Sequence, residues 1–255
     1  MKLKAFARYI YASVPGAAAA RFAAKDFTAA YVNKPEFGGV PWLDVGKGLI
    51  IDVGANRGQS IAAFRKAAPG AHIIAFEPEP RSAKRLAAHY HGDRTVEIDP
   101  CALGANAGMI AFFVPTYGHW DCDGMSALSH ETATEWLRDP GRMYLFDETK
   151  LTVEEHPVIC KTLDSLELCP RLMKLHAQGA ERSILEGAQQ TLLRHKPALM
   201  CAFPPDSLSH FLSGFGYRPY IYRQGHFIPG VAKRPVTFTW YLIDEDAQRV
   251  PLAVS

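Results

Sequence analysis

The chain has 255 residues, of which 48% are hydrophobic and 21% are charged, and its formal net charge is +2 at pH 7. These values are typical of a globular domain with a sizeable core, and the small net charge excludes nucleic-acid binding through overall basicity. Five cysteines without C-x-x-C spacing favour reduced thiols over a disulfide framework or a zinc site. We therefore expect a cytoplasmic protein with no nucleic-acid partner and no bound metal.

The N-terminal segment, residues 1–47, is predicted to be a helical prefix and an entry loop that precede an α/β domain at 48–255. No apolar run reaches the ~18 residues needed to span a bilayer. The prefix carries basic and aromatic side chains, including Arg8 and Tyr9. Packing on the domain is one interpretation, contact of residues 1–25 with a membrane surface or an acceptor is a second, and a targeting peptide is a third. No feature of the sequence points to a particular oligomeric state.

Residues 49–78 have the pattern of a strand, a glycine-rich turn, a helix and a second strand that ends in an acid. The apolar run at 49–53 is typical of a parallel strand covered on both faces. Residues 59–68 have helical spacing and stop at a Pro-Gly pair, and the second strand at 72–76 precedes Glu77. Strands and helices alternate beyond this unit as well, which predicts a parallel sheet.

The glycine turn differs from the dinucleotide fingerprint G-x-G-x-x-G, because Gly54 and Gly58 are in G-x-x-x-G spacing. Asp52, two residues before Gly54, would repel a pyrophosphate but suits the ammonium or sulfonium of S-adenosylmethionine. Glu77 is placed to accept hydrogen bonds from ribose hydroxyls. We therefore predict S-adenosylmethionine as the cofactor, with a nucleotide or a purely structural α/β turn as alternatives.

Residues 116–157 interrupt the alternation and are predicted to form a long inserted loop, since α/β loops usually have about 2 to 6 residues. Long loops are commonly functional, so we assign this one to the acceptor. Trp120 would stack on a sugar ring and Asp121 would bind hydroxyls, with His119 beside them. A solvated loop and a metal site that includes His119, Asp121 and Asp123 are the alternatives.

The remaining elements are predicted from apolar runs and turn residues. Ser129 has the position of an N-cap for a helix at 129–138, and a second helix is expected at 179–195. Strands are predicted at 95–98, 109–114, 158–162, 172–175 and 198–203. Antiparallel pairings are predicted for 217–223, 226–228 and 236–243, of which 237–243 is the antiparallel strand that closes the sheet.

Short motifs in a fixed order give the chain a resemblance to a known family. The motifs are IDVGANRG (51–58), AFEP (75–78), ALG (102–104), GMSAL (124–128), TLDSL (162–166), LMKL (172–175), GAE (179–181) and LEGA (185–188). In these motifs the chain resembles the FkbM family of S-adenosylmethionine-dependent methyltransferases over about residues 48–203. No single motif is specific, so the ordered set carries the resemblance.

The resemblance implies an α/β fold of the Rossmann-like class I methyltransferase kind, with a mostly parallel seven-stranded sheet and one antiparallel strand. It also implies O-methylation of a hydroxyl on a carbohydrate, a glycolipid or a secondary metabolite, so the partner would be a small-molecule or glycan acceptor. The donor site is then assigned to Asp52, Gly54, Asn56, Gly58 and Glu77. Acceptor binding is assigned to His119, Trp120, Asp121 and Ser126.

Two acidic positions of the family pattern are replaced in this chain. His176 stands where the family usually has Asp, and position 202, at the end of a later strand, has no acid. His176 is the candidate general base, because an imidazole pKa of ~6.5 suits proton removal near neutrality. Gln178 would orient the acceptor or the donor.

Each of these two assignments has a structural alternative. His176 could merely fill the place of a carboxylate, and Gln178 could cap the helix that follows it. The missing acids also motivate a hypothesis from another class of function, a methyltransferase-like binding or scaffold protein without catalysis.

Overall fold

The computed structural model describes residues 3–29 and 34–253, with the side chains of all of them except 25–29 and 123. The α-helices in this part of the chain are α1 (Leu3–Ser13), α2 (Ala17–Ala29), α3 (Gln59–Ala67), α4 (Pro80–Tyr90), α5 (His130–Arg138), α6 (Glu181–Glu186), α7 (Gln189–His195), α8 (Asp206–Ser213) and α9 (Asp244–Ala247). Short 3-10 segments occur at Pro35–Leu43, Asp123–Met125, Glu148–Lys150 and Asp164–Leu166. None of the described helices is long and apolar enough to cross a membrane.

The strands form two sheets. They are β1 (Leu49–Val53), β2 (His72–Phe76), β3 (Val96–Asp99), β4 (Ala102–Leu103), β5 (Gly108–Tyr117), β6 (Trp120–Asp121), β7 (Leu151–Lys161), β8 (Pro170–Leu175), β9 (Ala198–Ala202), β10 (Arg218–Arg223), β11 (His226–Pro229) and β12 (Phe238–Leu242). Within the described residues, the central sheet has eight strands in the order β11-β10-β12-β9-β8-β1-β2-β3. The second sheet has the order β4-β7-β5-β6.

The central sheet is mixed. Strands β3, β2, β1, β8 and β9 are parallel, β12 runs antiparallel to both β9 and β10, and β11 runs antiparallel to β10. The expected seven-stranded sheet with one antiparallel strand is therefore wrong in its count. The extra strand arises because Gln224 and Gly225, both at positive φ, form a two-residue hairpin turn that returns the chain alongside β10.

Both faces of the central sheet are covered by apolar side chains. Because side chains alternate along a strand, Ile50 packs in the layer that contains Phe64 of α3, whereas Ile51 packs in the opposite layer with Leu185 of α6. Within the described residues the two faces of the sheet are therefore occupied by the core, and the strand ends are where a ligand can be held.

The second sheet lies where a long inserted loop was expected. Strands β5 and β7 pair antiparallel from Gly108 with Cys160 to Tyr117 with Leu151. The inserted segment 116–157 is therefore not a loop apart from its predicted helix, because it also contains β6 and most of β7. The strand predicted at 158–162 is the C-terminal part of β7. The N-terminal part, from Leu151, was not predicted because it carries exposed charged residues and because Pro157 reads as a strand breaker.

The N-terminal helices pack against this second sheet. Ala12 of α1 and Ala18 of α2 are buried in a cluster with Tyr117 and Trp120. The backbone N–H of His119 donates to the carbonyl of Ala12 at 2.9 Å, so the prefix and β6 are also joined by a backbone hydrogen bond.

Two helix predictions have different outcomes. The helix at 129–138 is confirmed as α5, and the Ser129 hydroxyl accepts from the Thr132 N–H at 3.1 Å, as an N-cap should. The single helix at 179–195 is wrong, because α6 and α7 are separate. They part at Gly187, where an added Cβ would lie 2.0 Å from the Gly104 carbonyl oxygen, so this close approach to a neighbouring turn accompanies the break.

Candidate active site

A cavity of about 230 Å³ lies at the carboxyl ends of the parallel strands. Its walls come from the turns that follow β1, β2, β3 and β8, and from residues 124–128 of the segment between β6 and α5. Open α/β sheets bind their ligands in this position, outside the carboxyl ends of the strands. The motifs that the sequence singled out therefore meet at one place, although they are far apart along the chain.

The turn after β1 brings the backbone close to β8. Gly54 has φ 73°, and an added Cβ would lie 2.1 Å from the carbonyl oxygen of His176. Asn56, at φ 48°, also lines the cavity. Gly58 does not line the cavity. A glycine is needed at position 58 because the backbone has φ 81° and because an added Cβ would lie 2.9 Å from the side chain of Leu86. Of the two glycines, Gly54 alone is placed to contact a ligand in this cavity.

Glu77 follows β2, lines the cavity and is 5% exposed. Its Oε2 accepts from the backbone N–H of Asn56 at 2.6 Å, and its Oε1 accepts from that of Glu79 at 2.9 Å. Burial raises the pKa of Glu77 to about 7, and the charge of Glu79 raises it further, against the lowering effect of the two backbone hydrogen bonds and of Lys174. Each oxygen retains a lone pair, so this carboxylate can accept hydrogen bonds from two neighbouring hydroxyls.

Asp52 is placed differently from the prediction. Its side chain has no exposed surface, lies 2.9 Å from the Lys174 ammonium, and accepts a 2.5 Å hydrogen bond from the Ser60 hydroxyl. Asp52 therefore supports the turn from below and does not present a carboxylate to the cavity.

Lys174 belongs to the LMKL motif, but no role was predicted for it from the sequence. Its ammonium also donates to the carbonyls of Val53 at 3.1 Å and Gly54 at 2.8 Å. Its position inside an apolar strand could have indicated a structural role, since a buried lysine requires a charged or polar partner. Lys174 and Asp52 thus fix the shape of the glycine turn.

His176, at the end of β8, lines the cavity with its ring edge-on to Phe203 and Phe238 at centroid distances of 6.2 and 6.0 Å. Burial lowers the pKa of His176 to about 3, and the positive charges of Lys174 and Lys34 lower it further. At this pKa the imidazole is neutral and weakly basic. The value disfavours the predicted general-base role and favours packing or hydrogen bonding by a neutral ring.

Gln178 joins two walls of the cavity. Its Nε2 donates to the Gly124 carbonyl at 2.8 Å, and its backbone has φ 52°. The alternative role as a helix cap is wrong, because the N-cap of α6 is Ala180 and has no side-chain cap. The carboxylate of Glu181 instead holds this turn, accepting from the N–H groups of Ala177 at 2.7 Å and Gly179 at 3.0 Å.

The predicted acceptor residues do not form one surface. Ser126 is buried in the wall of the cavity. His119 is exposed, Asp121 is exposed and lies 3.2 Å from the Arg81 guanidinium, and Trp120 is only 6% exposed. The common sugar-binding face expected of His119, Trp120 and Asp121 is not formed, because successive side chains of a strand point to opposite sides. No three metal-ligating side chains in the described residues are grouped to hold a metal ion.

A second cavity, of about 190 Å³, adjoins the first and shares Asn56 and Gly124 with it. Its other walls come from α2, the start of α3 and the segment around β6, through Arg21, Phe22, Arg57, Gln59, Trp120, Cys122 and Met125. Arg21 and Arg57 were not among the predicted site residues. The basic and aromatic character of the prefix could have indicated Arg21, and the position of Arg57 inside the glycine turn could have indicated Arg57.

The strand arrangement and the cavity define the class of protein. Five parallel strands closed by the antiparallel β12, with an acid after β2 in a cavity at the strand ends, form an α/β fold of the class I methyltransferase kind. Residues 52–219 match the family described as Methyltransferase FkbM domain, which is well over half of the chain. The chain therefore belongs to this methyltransferase family.

Individual relatives are more distant. The chain is 26% identical over 155 residues to the 2-O-methyltransferase NoeI of Sinorhizobium fredii (strain NBRC 101917 / NGR234), and this match covers 57% of the chain but only 59% of the relative. Methyltransferase FkbM from Methylobacillus flagellatus KT has a TM-score of 0.49 at 15% identity, covering 89% of this chain and 60% of that one. A SAM-dependent O-methyltransferase from Thermotoga maritima has a TM-score of 0.39 at 10% identity, covering 88% and 68%. The family assignment rests on the family match, not on these weak structural similarities.

Proposed function

We propose that this chain transfers the methyl group of S-adenosylmethionine to a hydroxyl oxygen of a carbohydrate, a glycolipid or another secondary metabolite. The observation that carries the proposal is the Glu77 carboxylate at the end of β2, held by two backbone N–H groups at the wall of the strand-end cavity. The relative NoeI is named as a 2-O-methyltransferase, which supports oxygen as the accepting atom.

The residues of the cavity fit such a donor. Glu77 would hold the ribose hydroxyls, and Cys101 to Leu103 after β3 provide an apolar wall that suits an adenine ring. Asn56 Oδ1 is buried without a hydrogen-bond partner, so it can accept a hydrogen bond from the ammonium of the amino-acid tail of S-adenosylmethionine. S-adenosylmethionine supplies a methyl group bound to a positively charged sulfur.

The contribution of the chain to the reaction would be mainly positional. Holding an acceptor oxygen about 3 Å from the methyl carbon, in line with the bond that breaks, accounts for a large part of the rate in such displacements. His176 would accept a hydrogen bond from the acceptor hydroxyl as a neutral imidazole, and the hydroxyl proton would pass to water as the oxygen forms its bond to the methyl group and the bond from that carbon to sulfur breaks. Gln178 would keep the walls at Gly124 and at the end of β8 together.

The donor assignment is tested by binding. S-adenosylmethionine, S-adenosylhomocysteine and NAD are titrated separately against the wild type, Glu77→Ala and the control Glu97→Ala, a surface acid on β3. We expect both adenosyl compounds to raise the melting temperature of the wild type, a ligand at 100 times its Kd adding about 2.7 kcal/mol to the stability. Glu77→Ala should weaken binding by at least about tenfold, since a hydrogen bond to a charged group is worth about 1.5–3 kcal/mol. A shift with NAD alone, or with no compound, contradicts the donor assignment.

The role of His176 is tested by turnover. The release of S-adenosylhomocysteine is measured with a panel of sugars and glycosides, and an active acceptor is then used with His176→Asn. Because the low pKa makes this ring a poor base, we expect kcat to fall by less than about tenfold and to be flat from pH 5 to 8. A general base would lose about 10²–10⁴-fold.

The alternative of a binding or scaffold protein without catalysis has one observation in its favour, the absence of acids at positions 176 and 202. In the structure Ala202 ends β9, buried, and His176 ends the neighbouring β8. Tight binding of S-adenosylhomocysteine with no turnover on any member of the panel would support this alternative over the enzyme.

A further inference from the structure

We propose that the second cavity binds an anionic group of the acceptor, so that the methylated compound is a sugar that carries a phosphate or a carboxylate. This inference rests on the proposed methyl transfer, since it takes the second cavity as the acceptor side of the same site. The two cavities share Asn56 and Gly124. A molecule in the second cavity would therefore lie next to a donor in the first.

The charged side chains in the described lining of the second cavity are basic. Its described lining includes the guanidinium groups of Arg21 and Arg57 and no acidic side chain. Arg21 forms no ion pair within the part of the chain that the structure describes. Burial together with the charges of Arg21 and Arg142 lowers the pKa of Arg8, so three arginines repel one another near this cavity. An anion entering this cavity would relieve repulsion among these arginines.

Aromatic rings hold the guanidinium groups of the wall. Arg57 stacks over Phe22 at 3.7 Å, and Arg21 lies over Tyr11 at 4.9 Å and over Phe22 at 5.3 Å. Stacking fixes the plane of a guanidinium, and its fixed fork of N–H donors matches the geometry of carboxylate and phosphate oxygens. The arginines are therefore ordered before a ligand binds.

Trp120 supplies a second and independent observation. Its ring is 94% buried (6% exposed) and packs against Tyr11 and Trp136, and Trp120 lines the second cavity. Its indole Nε1 is buried and has no hydrogen-bond partner. A buried donor without a partner is costly, and an anionic oxygen in the cavity would provide the missing acceptor.

The test is a calorimetric titration of the full chain with glucose 1-phosphate, glucuronate and glucose, in a phosphate-free buffer of low ionic strength. Each titration is run with and without saturating S-adenosylhomocysteine. The variants are Arg21→Gln and Trp120→Phe, and the matched control is Arg94→Gln, an exposed arginine before β3 that lines neither cavity. Melting temperatures are recorded for every variant, so that a folding defect in one leaves the other to decide.

We expect at least one anionic sugar to bind about tenfold or more tightly than glucose, and high salt to remove this preference. Arg21→Gln should weaken the affinity for the anionic sugar by about 10–100-fold. Trp120→Phe should weaken it by less, and Arg94→Gln by no more than about twofold. A preference for glucose 1-phosphate identifies a phosphate on the acceptor, and one for glucuronate identifies a carboxylate. Equal affinity for all three sugars, or full binding by the Arg21→Gln and Trp120→Phe variants, overturns the inference.

The anionic acceptor and the proposed methyl transfer can be contradicted separately. If S-adenosylhomocysteine binds in a Glu77-dependent way but no anionic sugar is preferred, only the anionic acceptor is wrong. If S-adenosylhomocysteine does not bind, the proposed methyl transfer is wrong, and the titrations without it still decide whether the second cavity is an anion site.

Discussion

The two cavities that meet at Asn56 are built in different ways. The first is formed mostly by backbone turns at the ends of β1, β2, β3 and β8, which the core of the sheet holds in place. The second is formed mostly by long side chains from α2, α3 and the segment around β6. If the first cavity holds the donor and the second the acceptor, as proposed, short motifs are sufficient to encode the donor site, whereas an acceptor site made of side chains from separate elements can vary without changing those motifs.

Because the first cavity depends on its backbone turns, we expect the largest loss of stability from breaking the buried ion pair of Asp52 and Lys174 beneath the glycine turn. Lys174→Ala leaves the Asp52 carboxylate buried and without its ammonium partner, which costs about 3–5 kcal/mol. The exposed Lys150, beside the N-terminal helices, provides the control, and its change to Ala should cost less than about 0.5 kcal/mol. Urea unfolding measures both, and equal costs would contradict the supporting role of Lys174.

Substitution of two glycines by Ala separates the cost of backbone strain from the cost of a steric clash. Gly54 and Gly16 have similar φ values of 73° and 79°, but a Cβ at Gly54 meets a carbonyl oxygen whereas one at Gly16 meets nothing within 4 Å. Gly16→Ala should cost about 1–2 kcal/mol from the left-handed backbone alone. Gly54→Ala should cost about 1–3 kcal/mol more, from overpacking, and should abolish binding of S-adenosylhomocysteine. Thermal unfolding and calorimetry check this, and retained binding would show that the turn can move.

The first cavity should also respond to pH. Because the pKa of Glu77 is about 7 in the folded chain and 4.5 is its ordinary value, the stability this group contributes is present below about pH 4.5 and is lost as the pH rises through 7. Ligand binding should follow the opposite course, since the ionised carboxylate is the better acceptor of hydroxyl hydrogen bonds. We expect the affinity for S-adenosylhomocysteine to rise up to about tenfold between pH 6 and 8. In Glu77→Gln this rise should be absent.

The smallest effect on the donor is expected from the second cavity. Trp120→Phe removes an unpartnered indole N–H and part of a buried ring, two changes that act in opposite directions on stability. We expect the free energy of unfolding to change by less than about 1 kcal/mol and the Kd for S-adenosylhomocysteine to change by less than twofold. A large loss of donor affinity in this variant would mean that the two cavities are one functional unit.

The elements around the glycine turn could be predicted because their signals are local. The strand, the turn with Gly54, the helix and Glu77 are read within about 30 consecutive residues, and the structure places them as expected. The N-terminal part of β7 could not be predicted in the same way, because its partner β5 is 34 or more residues away along the chain and its charged residues are acceptable only on an exposed face. Asp52 was assigned to the ligand since nothing local shows that Lys174, on β8, would hold it from below.

The sequence by itself determined the alternation of strands and helices, the glycine turn with the acid that follows β2, and the ordered motifs of a methyltransferase family. These depend on backbone conformation and on side-chain periodicity over short distances. Only the tertiary structure decided that His176 lies partly buried in surroundings that lower its pKa, that Trp120 turns inward, and that Arg21 of the prefix shares a cavity with Arg57. Burial, charge proximity and the side of a strand that a residue occupies are set by segments that meet only when the chain has folded.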